Sequence, residues 1–220
     1  MAQSLESMRT TPWRLDSDIS VDTSLDIAAE DYASTGKLFQ DQDLRAPQLL
    51  WNPTPAQLPL SKLARLLTYW LELRGQRELP AARDIDPLDF KYALGYIMLL
   101  DVIDGGADFH YRLYGTEIAN AYKRDMQHLR TSAFEGVIKA FFLSVYRAVL
   151  IRRVPIFSVH QPPRNVYVRS WRRLILPLSD GQDPGEICRF LVGNIPEDPV
   201  HGRGAPDPWS RLPDAEAQSH

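Results

Sequence analysis

Seven arginines crowd residues 147–173: Arg147, Arg152, Arg153, Arg164, Arg169, Arg172 and Arg173. Clustered guanidinium groups grip phosphates or carboxylates bidentately, so an anionic ligand such as a nucleotide is one chemistry open to the chain. The competing reading is a solvated face whose arginine stems pack over Tyr167 and Trp171. Nucleic acid is the poorer partner: the pI is about 6.0 and no set of stacking aromatics accompanies the charges.

A second group of residues has the make-up of a small-molecule pocket. Tyr111, Tyr114 and Trp171, together with Arg112 and Arg173, combine apolar area with a few polar groups. Strict alternation along a strand puts Tyr111 with Phe109 and Leu113 on one face, and Arg112 with Tyr114 on the other. The alternative is a core filled by these aromatics with no ligand at all.

Catalytic and metal chemistry find less support. Asp101, Asp104, Asp108 and Asp125 are available as acids, but the middle two fall in a turn. Neither a Gly-x-Ser-x-Gly elbow nor a Walker-type phosphate loop is present. His110, His128 and His160 share no spacing that would assemble a metal site. The reading is therefore a protein with no catalytic residue and no metal, its alternative a small enzyme of a cone-shaped α+β fold.

The elements that must position these residues follow from periodicity. Leu60, Leu63, Leu67, Trp70 and Leu71 recur at helical spacing, with Ser61 as a candidate N-cap and Gly75 as the stop. This amphipathic helix has to cover either the chain's own sheet or a second subunit. On the second option Leu63, Leu67 and Trp70 form a dimer or partner surface, and replacing Leu67 and Trp70 by Asp abolishes self-association without unfolding the chain. Asp84 to Leu88 fits a short helix, with Asp86 capping and Pro87 in the first turn.

Tyr96 to Ile103 and Phe109 to Gly115 read as two strands joined by the turn Asp104 to Asp108. A helix from Glu117 to about Arg124 follows, capped by Thr116, and a long helix runs from Val137 to about Arg153. Three further strands, Pro155 to Gln161, Asn165 to Ser179 and Glu186 to Ile195, complete a meander. The expected fold class is α+β, with a five-stranded antiparallel sheet, flanking helices and an N-terminal amphipathic helix.

Charge divides the chain into three. Residues 1–56 carry four basic and nine acidic side chains, 57–196 carry nineteen and fourteen, and 197–220 carry two and five. The organisation expected is an acidic, partly disordered extension over 1–58, a folded domain over 59–196 and a Pro-rich disordered tail over 197–220. Within the extension, Asp22 to Phe39 suits a short helix, and Pro47, Pro53, Pro55 and Pro59 read as a linker. The apolar runs are far short of ~18 residues, so no membrane span is expected. The N-terminus lacks a secretory pattern and the single cysteine, Cys188, suits a reducing compartment, so the expected location is cytoplasmic.

Two strands, then helices, then three antiparallel strands is the order of the PAS fold. The run Phe109 to Ile118 resembles the second PAS strand entering its first helix, with Asp125 just beyond. Tyr69-Trp70, Asp84-Ile85-Asp86-Pro87 and Val192-Gly193-Asn194 resemble segments of short bacterial proteins built around one PAS domain. The resemblance spans roughly 130 residues.

It implies a sensory and protein-interaction module in bacterial signal transduction. Such a module works through ligand- or partner-dependent dimerisation or docking, and without an output domain of its own. The partners implied are a second copy, signalling proteins and a small molecule, while the ligand-free adaptor stays open. No cofactor is named by the resemblance. Cys188-Arg189-Phe190-Leu191 matches part of the flavin-adduct motif, but in a strand and without the preceding Gly and Asn. A haem ligand is expected on the long helix, which holds no histidine.

Overall fold

The computed structural model describes residues 19–162, 166, 168–181 and 185–197. The expected hairpin, β2 (Ile97–Ile103) and β3 (Asp108–Tyr114), forms one edge of the sheet. The connecting turn places Asp104, Gly105 and Gly106 at φ 52°, 64° and 92° in succession. Two glycines suit it because they take left-handed backbone without a Cβ clash. After a 17-residue helix, three strands follow: β4 (Ile156–His160), β5 (Ser170–Ser179) and β6 (Ile187–Glu197).

Among the described residues the sheet is antiparallel throughout and has six strands, β1 (Gln48–Trp51) included, in the order β1-β4-β5-β6-β2-β3. Five were expected. The sixth, β1 (Gln48–Trp51), lies inside the stretch read as a proline-broken linker and pairs with β4, Gln48 opposite Val159 and Trp51 opposite Ile156. Pro47 and Pro53 sit just outside it, so the prolines bound the strand instead of interrupting its ladder.

Among the described residues, two helices precede β1. α1 (Ile19–Ala28) and α2 (Ala33–Gln40) occupy the stretch expected to hold one short helix. Both pack on the long helix of the domain, with Ile27 and Phe39 buried and the Phe39 ring 5.0 Å from that of Phe141. Trp51 Nε1 donates to Ile27 O at 3.2 Å, which ties β1 to α1. The N-terminal residues up to Asp18 and the tail beyond Glu197 lie outside the described residues.

α3 (Ser61–Arg74) is the expected amphipathic helix, closed by Gly75 at φ 54° and entered from Leu60 with no side-chain cap at Ser61. Its stripe lies on the outer face of the chain's own sheet. Leu63, Leu66, Leu67 and Trp70 are buried, and Trp70 Nε1 donates to Pro177 O at 2.9 Å. Contact is so close that a Cβ on Gly193 would sit 2.6 Å from Leu63 Cδ2. Leu63, Leu67 and Trp70, expected as a dimer or partner surface, are therefore core residues of the single chain. Periodicity reveals an apolar face without saying what covers it.

Asp86 caps the 3-10 turns of Pro87–Tyr96, accepting from Leu88 N at 2.9 Å. α4 (Thr116–Tyr122) is entered from Gly115 and ends at Lys123 in left-handed backbone. α5 (Gly136–Arg152) covers the inner face of the sheet and is itself covered by α1 and α2. Every residue from Phe141 to Val149 is buried, as expected of a helix packed on both sides. No helix among the described residues is long and apolar enough to cross a membrane.

Candidate functional site

The inner face of the sheet carries a polar row in an otherwise apolar layer. Arg173 on β5 stands opposite Ser158 on β4 and Asn194 on β6, and the adjacent row pairs Trp171 with His160. Alternation along β6 places Asn194 on the same side as the core residues Val192 and Phe190. All of these side chains are buried, Arg173 at only 2 % exposure.

Arg173 Nε donates to Asn194 Oδ1 at 3.1 Å, and Nη1 donates to the Tyr146 hydroxyl at 3.4 Å. The guanidinium lies 3.7 Å from the centre of the Phe142 ring. Among the described residues no carboxylate pairs with it. An arginine keeps its charge even when buried, so this cation is held by a carbonyl, a hydroxyl and a ring face alone.

The groups around it are left incomplete. Since arginine only donates, Asn194 must turn its carbonyl oxygen toward Arg173, which aims the amide nitrogen elsewhere. That nitrogen has no hydrogen-bond partner among the described residues. The same holds for Trp171 Nε1, both ring nitrogens of His160, Ser158 Oγ and the Tyr122 hydroxyl. Native interiors leave few such groups unmatched; others lie elsewhere, at Thr35, Gln48 and Tyr92 for example, but these six atoms belong to one row and its wall.

Burial sets their protonation. It raises Tyr111, Tyr114 and Tyr122 well above the ordinary tyrosine range, against the opposing pull of the Arg173 charge. Burial also pushes His160 well below its ordinary 6.5, and Arg173 pushes it the same way. At neutral pH the site therefore holds one cation, a neutral histidine and neutral phenols.

Aromatic rings wall the row off from solvent. Tyr122 stacks on Trp171 at 4.9 Å and 6°, and Phe134 packs edge-on to Phe142 at 5.4 Å. Tyr122 and Phe134 also line a surface groove of about 460 Å³, with Gln42, Arg124, Val137 and Ile138. Tyr122 and Phe134 thus touch both the row and the groove.

The structure brings together Tyr111, Tyr114, Trp171 and Arg173 of the residues expected to bind a ligand. Arg112 is excluded. A bulge pairs Leu99 with Leu113 but Leu100 with Tyr111, leaving Arg112 as the extra residue. The shift breaks strict alternation. Tyr114 joins Tyr111 on the inner face, their rings 5.3 Å apart, while Arg112 is exposed and reaches Asp101 at 3.4 Å. Sequence reasoning missed Tyr122, Tyr146, His160 and Asn194 as members of this group. The period-2 pattern of β6 was a usable signal for Asn194.

The arginine cluster disperses. Arg147 is buried against the Ala107 carbonyl at 2.6 Å, Arg152 pairs with Glu30, and Arg153 with Glu78. Arg172 faces Glu197 at 3.7 Å. Arg164 and Tyr167 lie outside the described residues, and the ring over Trp171 is Tyr122, not an arginine stem. Asp101 pairs with Arg112 and Arg189, Asp104 with Arg130, and Asp108 holds Ser132. No group of three or more His, Cys, Asp or Glu side chains suited to a metal ion occurs among the described residues. Cys188 lies half-buried on β6, its thiol pushed up by burial.

The family model of the PAS domain matches residues 60–192, more than half of the chain. The chain belongs to the PAS domain family. The matched span runs from α3 through most of β6, so the polar row lies almost wholly within the PAS domain, with Asn194 just past its end. α1, α2 and β1 precede the match. PAS domains are typically sensory or interaction modules rather than catalysts. No curated protein and no solved structure matches the chain.

Proposed function

We propose that this PAS domain is a ligand-responsive module of bacterial signal transduction that acts by changing how the chain docks or dimerises. The observation that carries the reading is the buried Arg173 row, whose polar groups stand incomplete inside an apolar core. A merely structural core has no use for a cation without a carboxylate, because burying such a charge is costly.

The geometry also offers a relay. Arg173 and Asn194 face inward, while the next pair along the same strands, Leu174 and Gly193, faces outward beneath Leu63 and Leu66 of α3. A ligand that shifts β5 against β6 therefore acts on α3 through a single layer of backbone. The outward side of α3 carries Arg65 over the Tyr92 ring at 3.7 Å, and Leu88, in the same 3-10 turns as Tyr92, is 72 % exposed. That side is where a second copy or a signalling protein would sense the shift. A cytoplasmic setting suits this role and the single, unpaired cysteine.

The test is native mass spectrometry of the purified protein, followed by denaturation of the same sample. A small molecule released on denaturation, with a dimer fraction that changes when it is removed, is the expected result. A chain that releases nothing and keeps one oligomeric state throughout contradicts the ligand reading and favours an adaptor.

A further inference from the structure

We propose that the Arg173 row binds a small carboxylate with a planar, apolar body. The inference rests on the ligand-responsive reading above and names the class of ligand. Its first support is a census of donors. Trp171 Nε1 and the Asn194 amide nitrogen only donate, and so does the Arg173 guanidinium, which uses two of its five N–H groups in the bonds to Asn194 and Tyr146. Ser158, Tyr122 and neutral His160 each have a donor to add. A partner that completes such a set must be rich in acceptors.

The second support is charge. One buried cation faces no carboxylate of the described chain, and its neighbours Tyr111, Tyr114, Tyr122 and His160 are neutral. A single negative charge balances the site. A phosphate dianion would leave one charge uncompensated among Phe142, Phe141 and Phe134, where burial is costly. Carboxylate oxygens also match the planar fork of arginine.

The third support is shape. The row is flanked by flat surfaces: Tyr122 on Trp171, Phe142 beneath the guanidinium, and Phe141 5.1 Å from His160. Aromatic walls accept a planar body by stacking or edge contact. Tyr122 and Phe134, which pack on Trp171 and Phe142, also line the groove of about 460 Å³, and that groove is large enough for such a body. A carboxylate at Arg173 thus has its tail directed through the Tyr122–Phe134 wall.

The test is thermal unfolding of the full chain with benzoate, phenylacetate and indole-3-acetate, each against its neutral amide and against inorganic phosphate at equal ionic strength. At least one carboxylate is expected to raise Tm by about 3 °C at tenfold excess over its Kd, with its amide and phosphate inert. Arg173→Met removes that shift. Asn194→Asp places a carboxylate beside Arg173 Nε within the chain, so it raises the ligand-free Tm and also loses the response. This second variant decides the matter where Arg173→Met fails to fold.

Equal shifts from acids and amides, a shift from phosphate alone, or a carboxylate shift that survives in the variants overturns the proposal. So does silence from every carboxylate together with an Asn194→Asp chain no more stable than the parent. If only the amides bind, the ligand-responsive reading stands and the carboxylate falls. If mass spectrometry finds no released molecule and no change of oligomeric state, it is the broader reading that fails.

Discussion

Arg173 and His160 show how burial decides the state of a side chain. Inside the apolar layer the imidazole of His160 gives up its charge. The folded value of His160 is depressed by burial and by Arg173, while an unfolded histidine titrates near 6.5. Unfolding therefore takes up a proton, and the stability tied to neutral His160 is present above 6.5 and lost as pH falls below it. Urea unfolding between about pH 7.5 and about pH 5.5 should show a decline of up to ~1.36 kcal/mol per pH unit from this group. His160→Phe should flatten that part of the profile. Parallel profiles for parent and variant would contradict the burial of His160.

The same scale explains what was legible in the residues. Tyr111, Tyr114, Trp171 and Arg173 stand out because aromatic and charged side chains on strand segments suggest a lined pocket. Arg112 was included for the same reason, and a bulge that no alternation pattern reveals turned it outward. His160 was not legible as a site member, and Asn194 was legible only through the alternation of β6. A lone polar residue near a strand end reads as surface until the register with β5 places it opposite Trp171 or Arg173.

Among the elements, α3 carries the sharpest test. Its apolar stripe was plain in the sequence, but the surface beneath it was not, because Gly193 is what lets the helix approach. Gly193→Ala puts a methyl 2.6 Å from Leu63 Cδ2 and 2.9 Å from Leu66 Cδ2, next to a helix pinned by the Trp70–Pro177 bond. Overpacking of this kind costs about 1–3 kcal/mol, read as a lowered urea midpoint with unchanged m. Leu67→Asp, by contrast, should abolish the far-UV circular dichroism of the fold, since it buries a carboxylate with no partner. A folded, monomeric Leu67→Asp protein would restore the helix to a dimer surface.

At the scale of the whole molecule, the N-terminal segment is a layer of the structure. α1 and α2 close over α5, and β1 covers the edge of β4 that would otherwise present unpaired backbone groups. Sequence pattern concealed this because Ile27, Phe39, Leu49 and Trp51 are spaced among acidic and polar residues and show no sustained period. The five strands and three helices from Ser61 onward were legible because their apolar runs are long and their turns carry Gly or Pro. Phe39→Ala removes a ring packed edge-on to Phe141 and should cost about 3–5 kcal/mol in chemical unfolding. A loss below ~0.5 kcal/mol, the usual surface value, would mean the layer adds nothing to the fold.

The central claim is that a cation with no carboxylate partner among the described residues sits inside this PAS domain where a ligand completes it. Its most direct test is nuclear magnetic resonance of the protein labelled with nitrogen-15 arginine, following the Nε–H signal that disappears in Arg173→Met. The account predicts a signal protected from solvent exchange that moves when benzoate or a related carboxylate is added. An Arg173 signal that exchanges as freely as those of the exposed Arg112 and Arg130, and ignores every carboxylate, would contradict it.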